Sequence, residues 1–99
     1  MASTGHSAEE AQSIAISALG FIAGDAELLP RFLAITGIEA ASIRQAAREP
    51  GFLAGVLDFL LAHEPSLMRF AAETGIDPAS VAAARRRLPD GNDRFEDFT

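Results

Sequence analysis

Arg31-Phe32-Leu33-Ala34-Ile35-Thr36-Gly37-Ile38 returns 38 positions later as Arg69-Phe70-Ala71-Ala72-Glu73-Thr74-Gly75-Ile76. Each copy reads as the end of a helix closed by Thr-Gly-Ile. Glycine supplies the left-handed turn that stops a helix, and the isoleucine packs back on it. The register holds outward from there. Ala41-Ser42 falls on Ala79-Ser80, Ala46 on Ala84 and Arg48 on Arg86; upstream, Leu19 and Phe21 fall on Leu57 and Phe59. Roughly a third of the paired positions across 12–87 are identical, as expected of one supersecondary unit copied and stacked on itself. A 38-residue unit is below the size that normally folds unaided, so the two copies are expected to share one core.

Helices fill both copies, and no segment alternates with the period of two that marks a strand. Residues 1–7 are small and polar and are expected to be disordered. Ser7-Ala8-Glu9-Glu10 has the spacing of a capping box, so a first helix should run to about Ala23. Asp25 can cap a second helix, which starts near Glu27 because Pro30 fits only its first turn. A third helix, about Ala40 to Arg48, follows the Gly37 turn. Pro50 fits the first turn of a fourth, which runs to about Ala62 with Phe52, Leu53, Val56, Leu57, Phe59 and Leu60 inward. Glu64-Pro65 opens a fifth, with Leu67, Met68, Phe70 and Ala71 inward. Asp77-Pro78 opens a sixth that ends near Arg87. The expected fold is all-α: six short helices in two pseudo-symmetric three-helix repeats (about 12–49 and 50–87) sharing one core. That single domain spans 8–88, ahead of a flexible acidic tail, 89–99. Beyond the residues already named as inward, the core should include Ile14, Ala18, Leu19, Phe21, Ile22, Leu29, Phe32, Ile38, Ile43, Ile76 and Val81.

Composition narrows the chemistry. The formal charge is −6, lysine is absent and all eight cations are arginine. Such a chain is not drawn to nucleic acid or anionic lipid by its overall field. Without cysteine there is no disulfide framework and no thiolate metal site, and His6 and His63 lack ligand-spaced companions. The apolar runs Ile14–Ala23 and Phe52–Ala62 are too short to span a bilayer, and residues 1–8 lack the features of a signal peptide. A cytoplasmic location is the expectation, with no membrane, metal or cofactor.

Few residues suggest a site. His63-Glu64 could be an acid–base pair, but its place at a helix junction reads better as capping, so the chain is taken as a non-enzyme. Ala71, Gly75 and Val81 have the spacing of a DNA-binding helix-turn-helix, with Arg85, Arg86 and Arg87 available to phosphate. Against that, the helix that would read bases carries Pro78, Ala79, Ala82, Ala83 and Ala84, which offer little to base edges. The repeated Arg31 and Arg69 each precede an inward phenylalanine; each can pair with a nearby acid while its stem covers apolar surface. A shared anion site formed by both is the sharper alternative. Ser13, Ser17, Gly20 and Gly24 form a small-residue stripe on the first helix, echoed by Gly51, Gly55, Asp58 and Ala62 on the fourth. Such stripes either permit close helix approach or face water, and one could be the seam of a homodimer. In the tail, Phe95 and Phe98 on an acidic background could form a docking peptide.

Phe21–Leu29, Arg31–Gly37 and Pro50–Leu60, in that order, resemble a family of short alphaproteobacterial proteins of unknown function. The resemblance spans about Ala8 to Arg87, and Pro50-Gly51-Phe52-Leu53 with Asp58-Phe59-Leu60 is its most specific part. It implies a small all-helical protein and carries no site residues. The functional expectation is a non-catalytic protein-interaction module with an unidentified protein partner. The alternatives are a helix-turn-helix DNA binder using 78–87 and a small apolar-ligand carrier, which requires a cavity between the repeats.

Overall fold

The computed structural model describes residues 6–49 and 51–89. It is all-helical, with six α-helices among the described residues: α1 (His6–Ala23), α2 (Leu28–Thr36), α3 (Ile43–Ala46), α4 (Phe52–Leu61), α5 (Glu64–Thr74) and α6 (Pro78–Arg87). A 3₁₀ turn, Ala40–Ser42, leads into α3. α1 begins at His6, one residue ahead of the expected cap. Pro50 lies outside the described residues; the N-cap of α4 is Gly51, at φ +88°, and the helix begins at Phe52, later than expected.

α1 is the central element and packs on α6, α4 and α2; α4 also packs on α5 and α6. Its inward ridge is Ala11, Ala15, Ala18 and Ile22, at helical spacing, all essentially buried. α6 offers Val81 and Ala84, and Leu88 beyond it is also buried. Small side chains on both helices let their axes approach closely. Apart from Ala18, this alanine ridge is not legible in the sequence, because alanine sits comfortably on either face of a helix. With the exception of Met68, every expected core residue is buried or half-buried, with Phe32, Phe70, Ile22, Leu57, Leu60, Val56 and Val81 the largest sealed from solvent. Met68 is a correction: it is 51 % exposed. Leu67 and Phe70 claim the inward stripe of α5, and Met68 is rotated about 100° from Leu67.

The Thr-Gly-Ile turns are built alike. Gly37 and Gly75 sit at φ +77° and +80°, and donate to the carbonyls of Leu33 and Ala71. The hydroxyls of Thr36 and Thr74 donate back to Phe32 (2.9 Å) and Phe70 (2.7 Å). They also accept from the amides of Ile38 (3.3 Å) and Ile76 (3.2 Å). A second correspondence crosses the core. Phe32 meets Phe59 edge-on at 5.4 Å between ring centroids, and Phe70 meets Phe21 edge-on at 5.5 Å. In the 38-residue register Phe32 aligns with Phe70, and Phe59 with Phe21.

The third elements differ. α6 has ten residues, whereas the expected helix Ala40–Arg48 is only a 3₁₀ turn and a four-residue helix with nothing buried. Asp77 caps α6 by accepting from the Ser80 amide at 2.8 Å, and Pro78 fixes the first turn. Glu39 occupies the matching position without a side-chain capping bond, and Ala40 replaces the proline. Lacking both devices and a buried face, the segment tightens to 3₁₀ geometry at its start.

Candidate functional site

An open groove of about 480 Å³ lies between the first turns of α2 and α5. Glu27, Leu28 and Arg31 line one side; His63, Pro65, Ser66 and Arg69 line the other. In the 38-residue register Glu27 aligns with Pro65, Leu28 with Ser66 and Arg31 with Arg69. The groove therefore brings together the two arginines, Arg31 and Arg69, singled out from the sequence.

Its two ends are unequal. At one end Asp25 Oδ1 accepts from the amides of Glu27 (2.8 Å) and Leu28 (3.0 Å), which holds the α1–α2 corner. Asp25 Oδ2 accepts from Arg69 at 2.5 Å. The Arg69 guanidinium, the Leu28 amide and the Glu27 amide together hold the Asp25 carboxyl down at about 2. The same guanidinium lies 5.2 Å from the centre of the Phe21 ring, a cation–π distance. Arg69 thus pairs with an acid and covers apolar surface, as its sequence context suggested.

The other end lacks the acid. His63 aligns with Asp25, and Arg31 with Arg69. Arg31 is exposed and makes no ion pair among the described residues. His63 Nδ1 instead contacts the buried Ser66 hydroxyl at 2.6 Å, inside the first turn of α5. That contact ties His63 to the first turn of α5. Ser66 is 2 % exposed.

The α6 arginines do not join this groove. Arg85 Nε donates to Asp58 on α4 at 2.7 Å. Arg86 is exposed, and Arg87 Nη1 donates to the Ala83 carbonyl at 3.4 Å, within its own helix. α6 turns Val81 and Ala84 into the core, leaving Ala79 and Ser80 as the exposed residues of its first turns. Phe95 and Phe98 lie outside the described residues. Among the described residues no three or more His, Asp or Glu gather to hold a metal ion.

The small-residue stripe of α1 faces outward. Ser13, Ser17, Gly20 and Gly24 are all exposed, and a Cβ built on Gly20 would touch nothing. Gly55 on α4 is equally open at its Cβ position, and Asp58 and Ala62 are exposed. Inside the molecule the close approach belongs to the alanine ridge, not to these stripes. Ile16, 59 % exposed, sits in the middle of the α1 face. Among the described residues no single helix is long and apolar enough to cross a membrane.

Residues 8–91 match the family described as Protein of unknown function (DUF3572). The chain belongs to this family. The match covers all six helices apart from the first two residues of α1, so the groove and the α1 face both fall within the family's span. No curated protein and no solved structure matches the chain.

The pairing of Asp25 with Arg69, 44 positions apart, is absent from the expectations drawn on the sequence. The repeat register holds the signal. It sets Asp25 against His63, and so implies unequal surroundings for two otherwise matching arginines.

Proposed function

We propose that this protein is a non-catalytic protein-interaction module. The observation that carries the reading is the outer face of α1. From Ala11 to Gly24 there is no charged residue, yet Gln12, Ser13, Ile16, Ser17, Gly20 and Ala23 are all exposed. Solvent-facing helix surfaces ordinarily carry charge. A flat neutral face with an exposed isoleucine at its centre loses little on desolvation and admits a partner helix closely. On a chain of net charge −6, it is also a face that can meet a second acidic molecule, or another copy, without setting like charges together.

The described polar groups support the non-catalytic half of the reading. Asp25 and Asp77 hold helix starts, His63 and Ser66 hold each other, and Asp58 holds Arg85. The DNA-binding alternative has less behind it, because α6 is committed to the core and Arg85 to an acid. The carrier alternative needs an enclosed apolar chamber. The four main grooves among the described residues are open and carry charged residues on their walls.

Sedimentation of the purified chain, with capture of partners at physiological salt, tests the reading using wild type and Ile16→Arg. The expected result is a concentration-dependent mass or a captured partner that Ile16→Arg abolishes while leaving the circular dichroism unchanged. A monomer that captures nothing, or captures the same proteins with and without Ile16, would overturn it.

A further inference from the structure

We propose that the Arg31–His63 end of the α2–α5 groove is a carboxylate-recognition site that receives an aspartate or glutamate side chain from an acidic segment of a partner protein. The site is separate from the α1 face, and only the choice of a protein as the source rests on the interaction reading above. At the matching end of the groove, a carboxylate at position 25 neutralises the arginine at position 69. Transposed by 38 positions, that carboxylate belongs at position 63, opposite Arg31. The chain places His63 there, and the imidazole is turned to Ser66. Arg31 is left exposed and without an acid among the described residues, beside a groove wall that its counterpart fills with an internal ion pair. An incoming carboxylate takes the place that Asp25 takes for Arg69. Arg31 offers the planar fork of donors that matches a carboxylate.

Other charges bear on the strength of the site. Arg69 also faces the groove but is committed to Asp25. Glu27 lines the wall near Arg31, and Glu64 stands exposed beside His63. Both acids weaken binding, so the interaction is salt-sensitive and its affinity modest. The groove is open rather than enclosed, so a small free anion would keep most of its hydration. A peptide segment adds apolar contact with the exposed Pro65 on the groove wall. That difference favours a side chain on a polypeptide over a free acid.

The test is a titration of the full chain, followed by backbone and side-chain NMR, with a short capped peptide containing Asp flanked by apolar residues. Its Asn counterpart and sodium acetate are the comparison arms. The expected result is saturable shifts at Arg31 and His63 with the Asp peptide, at least tenfold weaker with the Asn peptide and with acetate. Arg31→Gln should weaken binding at least tenfold, whereas Arg44→Gln on α3 leaves it unchanged. His63→Asp rebuilds the missing acid from within, so it should also block the peptide, and it should raise the melting temperature as the introduced carboxylate pairs with Arg31. Glu27→Gln should tighten binding. The proposal fails if the Asp peptide produces no saturable shift at millimolar concentration, or if Arg31→Gln binds like wild type. It fails equally if His63→Asp leaves both binding and melting temperature unchanged. Acetate binding as tightly as the peptide would assign the site to small free acids instead. Loss of the Ile16-dependent partner with this titration intact would overturn the interaction reading of α1 and leave the site standing.

Discussion

Asp25 uses both carboxylate oxygens, one to close the α1–α2 corner and one to fasten it to α5. Its folded-state value, about 2, lies below the ordinary 3.8, so folding favours the ionised form. The stability this contributes is complete above about pH 4 and is lost as pH falls through about 2. Asp25→Asn should therefore lower the melting temperature at pH 7 and flatten the fall in stability between pH 4 and pH 2, read by urea unfolding at stepped pH. An unchanged acid limb would show that the pair contributes nothing. The capping half of Asp25 is legible in the sequence because it acts on residues two and three positions ahead. Its pairing half is not, because the partner comes from another helix and only the fold brings them together. Arg31 shows the same limit from the other side. Sequence alone makes it the twin of Arg69, and only the residue across the groove separates their roles.

Helix ends explain where the two copies agree and where they part. The Gly37 and Gly75 turns are legible in full, because Thr-Gly-Ile fixes a left-handed glycine whatever the surroundings. Gly37→Ala and Gly75→Ala should each cost about 1–2 kcal/mol in denaturant unfolding, the ordinary cost of forcing a Cβ into that conformation. Neither Cβ would touch a neighbour, so the cost would be one of backbone conformation rather than crowding. The third helix is shorter than its sequence suggests for a physical reason. Its alanines suit a helix, yet nothing caps its start and none of its residues is buried. Converting Glu39→Asp together with Ala40→Pro gives it the start that α6 has. The pair should extend the helix over 40–48, seen as added helical signal in circular dichroism, and stabilise the protein by about 0.5–1 kcal/mol. No gain in helicity would mean that the missing buried face, not the missing cap, sets its length.

Across the whole molecule, aromatic contacts join residues 12–49 to residues 50–87. Phe32 reaches Phe59 and Phe52 of the second copy, and Phe70 reaches Phe21 of the first. α6 packs on α1 more than on its own neighbour α5. One continuous apolar cluster runs through α1, α2, α4, α5 and α6. Phe32→Ala and Phe70→Ala should each cost about 3–5 kcal/mol, enough to unfold much of a domain this small at ambient temperature. A shared core is legible from the repeat length, since 38 residues cannot bury enough surface alone. The crossing of α6 onto α1 is not, because alanine at Ala11, Ala15 and Ala84 carries no strong signal of which way it faces. The most direct measurement is circular dichroism and amide NMR of residues 1–49 and 50–99 prepared separately and then mixed. Each piece alone should be largely unfolded, with native dispersion returning only on mixing. Cooperative folding of either piece in isolation would contradict a jointly built interior.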